Sequence, residues 1–118
     1  MNREGKKCFL YSRVSTEMQV DGYSLEAQKS VLKKFAEREE MQIIEYYEDA
    51  GKSGKSIEGR PAFKKMLSDI ENGQSVDYIL VYKLSRFGRN AADILNSLEF
   101  IQTFDVNLIC IEEGIDSS

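Results

Sequence analysis

At 118 residues the chain is long enough for one domain with a real core and too short for two. Its 42% hydrophobic and 31% charged content fits a globular protein, and no apolar run approaches the roughly 20 residues of a membrane span. The sequence has no histidine, which excludes Ser-His-Asp and Cys-His chemistry and any histidine-ligated metal.

The N-terminal stretch Met1 to Lys7 carries charge without a long apolar segment behind it, so no secretory signal is expected. Cys8 and Cys110 both lie in strand-like runs and read as buried small hydrophobes of a protein in a reducing cytoplasm. The net charge of −4 argues against a domain that grips nucleic acid tightly by itself. The charge is uneven, though. Glu37, Glu39, Glu40, Glu45, Glu48 and Asp49 form an acidic stretch, whereas Lys83, Arg86 and Arg89 stand in a segment without acid. Lys52, Lys55 and Arg60 flank a Gly-rich loop.

Taken in chain order, Lys7 to Ser12 predicts a mostly apolar, interior first strand. It runs into Arg13 and Ser15, which share a face if the chain stays extended. A guanidinium beside a hydroxyl suits chemistry on a phosphodiester, because arginine holds phosphate oxygens through paired hydrogen bonds. Taken alone, a serine after a strand is more often a turn or helix-cap residue than a nucleophile. Ser24 caps a helix running to about Glu40, with Leu25, Leu32, Phe35 and Ala36 as its apolar stripe. Gln28 falls on that stripe, where its amide serves either nearby backbone or a site at the helix start.

Met41 to Tyr47 predicts a second strand, and Glu48 to Ser56 a loop. Gly59-Arg60-Pro61 opens a second helix whose buried face is Phe63, Met66, Leu67 and Ile70, ended by Gly73. Val76 to Tyr82 is a near-continuous apolar run of the kind found in central parallel strands. Lys83 to Arg89 reads as a loop. Asn90 caps a third helix with Asp93 three residues on, and Ile94, Leu95, Leu98 and Ile101 face inward. Val106 to Ile111 forms a fourth strand, ended by Glu112-Glu113-Gly114.

The resulting β-α-β-α-β-α-β order predicts an α/β fold, a mostly parallel sheet of four strands or slightly more with helices on both faces. Ligands of such sheets bind beyond the carboxyl ends of the strands. Arg13 and Ser15 follow the first strand, Asp49 the second, Ser85, Arg86 and Arg89 the third, and Glu112 the fourth. Arg60 and Gln28 head the helices at that same end. A serine hydroxyl among arginines describes a phosphate site.

The segments Tyr11-Ser12-Arg13-Val14-Ser15-Thr16, Ser24-Leu25-Glu26-Ala27-Gln28, Asp49-Ala50-Gly51-Lys52-Ser53-Gly54, Gly59-Arg60-Pro61-Ala62-Phe63 and Lys83-Leu84-Ser85-Arg86-Phe87-Gly88-Arg89-Asn90 resemble the catalytic domain of the serine recombinases. The resemblance covers nearly the whole chain, in the family's order. The Gly-Arg-Pro-x-Phe element and the long Gly/Ser loop are more similar to the large integrase and transposase branch than to the small resolvases. The resemblance implies that Ser15 attacks a DNA phosphodiester to give a 5′-phosphoserine and a 3′-hydroxyl. Arg13, Arg60, Arg86 and Arg89 would hold the phosphate, with Gln28, Asp49, Ser85 and Tyr11 in support. It implies double-stranded DNA as partner, a dimer or tetramer of the full-length protein, and neither ATP nor a metal cofactor.

Two departures from the family pattern stand out. Many members carry aspartate where this chain has Ser85, which leaves the general acid and base unassigned and gives Ser85 the role of buttressing the arginines. Family members also continue past this length, so residues 1–118 are expected to be the N-terminal catalytic domain of a longer chain. As an excised piece it would be monomeric or weakly associated and inactive in recombination. The segment from Ala50 to Arg60 is expected to be mobile, with Arg60 away from Ser15 in the absence of DNA. Two rival readings remain. In one, Asp49, Glu112 and Glu48 hold Mg²⁺ in a receiver-like phosphotransfer domain; in the other, a flavodoxin-like module only binds its ligand.

Overall fold

The computed structural model describes residues 3–15, 23–51 and 60–118. Strands β1 (Lys7–Val14), β2 (Gln42–Ala50), β3 (Tyr78–Val81), β4 (Asn107–Cys110) and β5 (Ile115–Asp116) form one sheet in the order β2-β1-β3-β4-β5. Helices α1 (Leu25–Arg38), α2 (Pro61–Glu71), α3 (Leu84–Phe87) and α4 (Ala91–Gln102) lie between them. The first four strands are parallel and β5 runs antiparallel to β4. The expected α/β fold is thus present, with β5 as the additional edge strand.

Alternation along β1 divides the core in two. Cys8 and Leu10 pack with Leu32 and Ala36 of α1, together with Tyr78, Leu80 and Ile109. Phe9 and Tyr11 face the other way, into a larger cluster with Phe63, Met66 and Ile70 of α2, Phe87 of α3 and Ile101 of α4. Both faces of β1 and β3 are therefore dry, which is why these strands read as continuous apolar runs rather than alternating ones. Cys8 and Cys110 are buried free thiols whose pKa values burial pushes up to about 12, in keeping with their reading as small hydrophobes.

Helix ends follow their local chemistry. The Ser24 hydroxyl accepts from the Ala27 N–H at 3.1 Å and caps α1. The Asn90 side chain accepts from the Asp93 N–H at 2.9 Å and caps α4. Pro61 opens α2, and Gly73, just beyond it, takes φ +104°, a left-handed conformation that suits a residue without Cβ.

Three expectations need correction. The second strand does not stop at Tyr47 but runs to Ala50, because Ser12, Arg13 and Val14 of β1 pair with Glu48, Asp49 and Ala50. Exposed Glu48 is tolerated there because β2 is an edge strand, and buried Asp49 because its carboxylate is hydrogen-bonded to α2 and Tyr11. The stretch Lys83 to Arg89 is not all loop, since Leu84–Phe87 turn once as α3. Leu95 does not face inward: it is 58% exposed, and Ser97 is the buried residue on that part of α4. Fully buried Leu80 and exposed Leu95 make a direct comparison. Leu80→Ala is expected to cost about 2–5 kcal/mol of unfolding free energy and Leu95→Ala under about 0.5 kcal/mol, as read by urea titration.

Candidate active site

The strand order places a reversal between β1 and β3, since the chain winds outward from β1 to β2 on one side and through β3 and β4 on the other. At such a point the loops leave neighbouring strands in opposite directions and open a crevice beyond their carboxyl ends. Arg13 and Ser15 end β1 there, and Ser85 and Arg86 follow β3. Arg13, Ser15, Arg60 and Arg86 are all buried, with Arg86 among the largest fully buried side chains. Arg89 and Ser85 are exposed at the rim.

Charges in a desolvated place need partners, and here most partners are carbonyls. The short helix α3 leaves its last carbonyls outside any helical ladder. Arg13 donates from Nη2 to the Ser85 carbonyl at 2.6 Å and from Nε to the Arg86 carbonyl at 3.3 Å. Arg60 donates from Nη2 to the next carbonyl, that of Phe87, at 2.5 Å. One turn of helix, read from the sequence as loop, thus anchors arginines from β1 and from the head of α2. The Arg13 pKa is lowered to about 10, first by burial and then by the charge of Arg60, with smaller contributions from Arg86 and Arg89. Arg13 is thus close enough to the other three arginines singled out by sequence to feel their charge.

Arg60 is 5% exposed and engaged on every nitrogen. Its Nε lies 3.5 Å from the Tyr11 hydroxyl, its Nη1 pairs with Asp93 at 3.1 Å, and its guanidinium sits 3.7 Å from the centre of the Phe63 ring. Residues 52–59, on which the expected mobility of the preceding loop rests, lie outside the described residues, as do Lys52 and Lys55.

Asp49 and Gln28 act on backbone. The Asp49 carboxylate accepts from the Ala62 and Phe63 N–H groups at 2.9 and 3.0 Å, capping α2 from the neighbouring strand, and from the Tyr11 hydroxyl at 2.7 Å. Burial, ahead of the opposing effect of Arg60, raises the Tyr11 pKa, so the phenol stays protonated and donates. The Gln28 amide resolves toward its backbone reading. Its Oε1 accepts from the Arg13 N–H at 3.3 Å while its Nε2 donates to the Arg13 carbonyl at 3.0 Å and the Tyr23 carbonyl at 3.2 Å. The amide thereby holds the last turn of backbone before Ser15 as a neighbouring strand would.

Ser15 is 7% exposed, and among the described residues its Oγ has no hydrogen-bond partner. Buried hydroxyls are normally satisfied, so the partner of this one is to be sought beyond the described residues. Gly51 closes in from β2, donating its N–H to the Val14 carbonyl at 2.9 Å; a Cβ on it would stand 3.6 Å from the Ser15 Cβ. The serine accordingly sits at the end of a strand braced on both sides.

Ser85 supplies a backbone carbonyl, while its hydroxyl is at the exposed rim. The carboxylates of the Mg²⁺ reading do not converge. Asp49 spends both oxygens on α2 and Tyr11, Glu112 faces Lys83 at 3.7 Å, and Glu48 accepts from Tyr46 at 2.8 Å. Among the described residues no three acidic or sulfur side chains gather into a metal site. Sequence reasoning missed Asp93 as an arginine partner, having placed it only as a capping residue of α4. The signal was present in its spacing from Arg89, four residues earlier, whose N–H it accepts at 3.0 Å. Since Asp49 ties β2, α2 and Tyr11 together, Asp49→Ala is expected to lower stability by about 1–3 kcal/mol in chemical denaturation, by stranding buried donors.

Comparison with known proteins agrees with this fold. Residues 8–118 match the family model "Resolvase, N terminal domain". A crystal structure of a resolvase family site-specific recombinase from Streptococcus pneumoniae is 58% identical, with a TM-score of 0.83 over 95% of this chain and 76% of that one. The N-terminal catalytic domain of TP901-1 integrase is 38% identical, again with a TM-score of 0.83, over 95% of this chain and 82% of that one. The Tn2501 transposon resolvase of Escherichia coli is 40% identical over 55 residues, which are 47% of this chain and 27% of that protein. With the family's domain matched from the first strand to the last residue, and with its fold in place, the chain belongs to the resolvase family of serine recombinases, as a catalytic domain of that family.

Proposed function

We propose that this domain breaks and rejoins DNA in site-specific recombination, with Ser15 as the nucleophile. The observation that carries the reading is the buried Ser15 hydroxyl, without a hydrogen-bond partner among the described residues, at the end of the strand that bears Arg13, with Arg60 and Arg86 buried at the same end of the sheet. The resolvase and integrase relatives support DNA as the substrate. Ser15 Oγ attacks the phosphorus and the bond from phosphorus to the 3′ oxygen breaks. That oxygen gains a proton and leaves as a 3′-hydroxyl, while the serine proton is lost and a 5′-phosphoserine ester forms. A 3′-hydroxyl from the exchanged strand then attacks the ester and restores Ser15. The ester conserves the bond energy, so the cycle needs no ATP.

Arg13, Arg60, Arg86 and Arg89 stabilise the charge on the phosphoryl oxygens, as preorganised donors do in other phosphoryl transfers. Gln28 and Asp49 act one step removed, by holding the Arg13 backbone and the α2 N-terminus. Tyr11 links Asp49 to Arg60, and Ser85 offers its carbonyl to Arg13. Residues 1–118 serve as the N-terminal catalytic part of a longer recombinase that pairs with further copies of itself on DNA. The transposon and integrase relatives support origin in a mobile element.

A nicked duplex of the crossover site, incubated with the full-length recombinase in excess chelator, tests the reading. A protein–DNA adduct mapped by mass spectrometry to Ser15 is expected, absent in Ser15→Ala and slowed about 10²–10³-fold in Arg13→Lys. An adduct that survives Ser15→Ala, or cleavage that appears only with Mg²⁺, would sink it.

A further inference from the structure

Asp93 is placed by the fold with unusual economy. It is the third residue of α4, and its own N–H is taken by the Asn90 cap at 2.9 Å. A single oxygen, Oδ2, then accepts from Arg60 Nη1 at 3.1 Å and from the Arg89 N–H at 3.0 Å. Gly88 makes this possible. A Cβ at that position would lie 3.1 Å from the same oxygen and 2.5 Å from Ile94 Cγ1, so any side chain there would push α4 and its carboxylate away. Among the described residues, the groups that touch the Arg60 guanidinium are the Tyr11 hydroxyl, the Phe87 carbonyl, the Phe63 ring and Asp93, and of these only Asp93 is charged.

We infer that Asp93 is a positioning residue for phosphodiester cleavage: its one oxygen sets the direction of the Arg60 guanidinium and fixes it to the turn that carries Arg89. The inference rests on the phosphate-binding reading of those arginines. A helix cap alone would not require the contact to Arg60, which comes from a different helix and a different loop. Nor would an adventitious surface pair join a guanidinium this deeply buried, since exposed pairs contribute little order. Fixing Arg60 and Arg89 through one atom makes their separation a property of the fold, and an error of an ångström in such a separation is costly to catalysis.

Asp93→Asn preserves shape and one carbonyl oxygen while removing the charge. In ¹⁵N-labelled protein the Arg60 Nε–H resonance, assigned by its loss in Arg60→Lys, is expected to exchange with water about tenfold faster in the variant as its local opening becomes easier. In the full-length recombinase, Ser15 adduct formation is expected to fall about 10- to 100-fold while DNA affinity changes little. On an Arg60→Lys background the same substitution is expected to add less than about a twofold loss, because contacting residues act as one unit. An unchanged Arg60 resonance would overturn the inference, as would a loss that is fully additive with Arg60→Lys or that follows a lowered melting temperature. Should the unaltered protein form no Ser15 adduct, the cleavage reading fails, while the Arg60 exchange rate still decides whether Asp93 orients it.

Discussion

Guanidiniums buried near one another lose hydration and repel, each a cost of several kcal/mol in a medium poorer than water. The protein meets that cost largely with dipoles. Carbonyls of Ser85, Arg86 and Phe87, left open at the end of α3, receive Arg13 and Arg60. Neutral acceptors lower the penalty of burial without cancelling the charge. A site lined instead with carboxylates would be more comfortable empty and less attractive to an anion. The lowered Arg13 pKa records the tension that remains, with burial as the larger cause and Arg60 the next.

The rest of the architecture can be understood as holding that turn and those side chains in place. The β1 strand brings Tyr11 and Arg13 to the face on which α3 and the head of α2 also lie. Gln28, from the opposite face, clamps the Arg13 backbone at both its N–H and its carbonyl. Asp49 fixes α2 by its first N–H groups, which sets where Arg60 leaves the chain. Glu113, in the turn between β4 and β5, accepts from the Leu84 N–H at 3.1 Å and so anchors the start of α3. Gln28, Asp49 and Glu113 come from a helix, a strand and a turn, and each acts on backbone, which is stiffer than a side chain.

Much of this was readable in the sequence because it follows from local periodicity and from topology. Strands that alternate with helices dictate a parallel sheet, and a parallel sheet dictates where loops converge; topology alone brings Arg13, Ser15, Arg60 and Arg86 to one end. What was not readable depends on pairing or on very short elements. A four-residue helix has no 3.6-residue pattern to display, so α3 looked like loop. Glu48 and Asp49 look like the start of a turn, and only their pairing with Ser12 and Arg13 makes them strand. On α4 an apolar residue at helical spacing suggested burial for Leu95. A lone helix face cannot reveal how much of its width the sheet covers, and here Ser97 occupies the covered part.

Charge distribution then links the site to the way such a domain would meet its substrate. The chain is acidic overall, at −4, yet Arg60, Arg86 and Arg89 lie close enough to Arg13, at the end of β1, for their charges to act on it. Over the distance of a Debye length, roughly 8 Å in physiological salt, the acidic body is screened and the nearby arginines dominate the field at the crevice. On the proposed function, a phosphodiester arriving there would meet donors already oriented by the α3 carbonyls. Affinity for a long stretch of duplex demands many such contacts along the backbone, which a compact acidic domain does not offer. On the proposed function, the domain therefore contributes geometry at a single phosphate, and the grip on DNA falls to other parts of the recombinase.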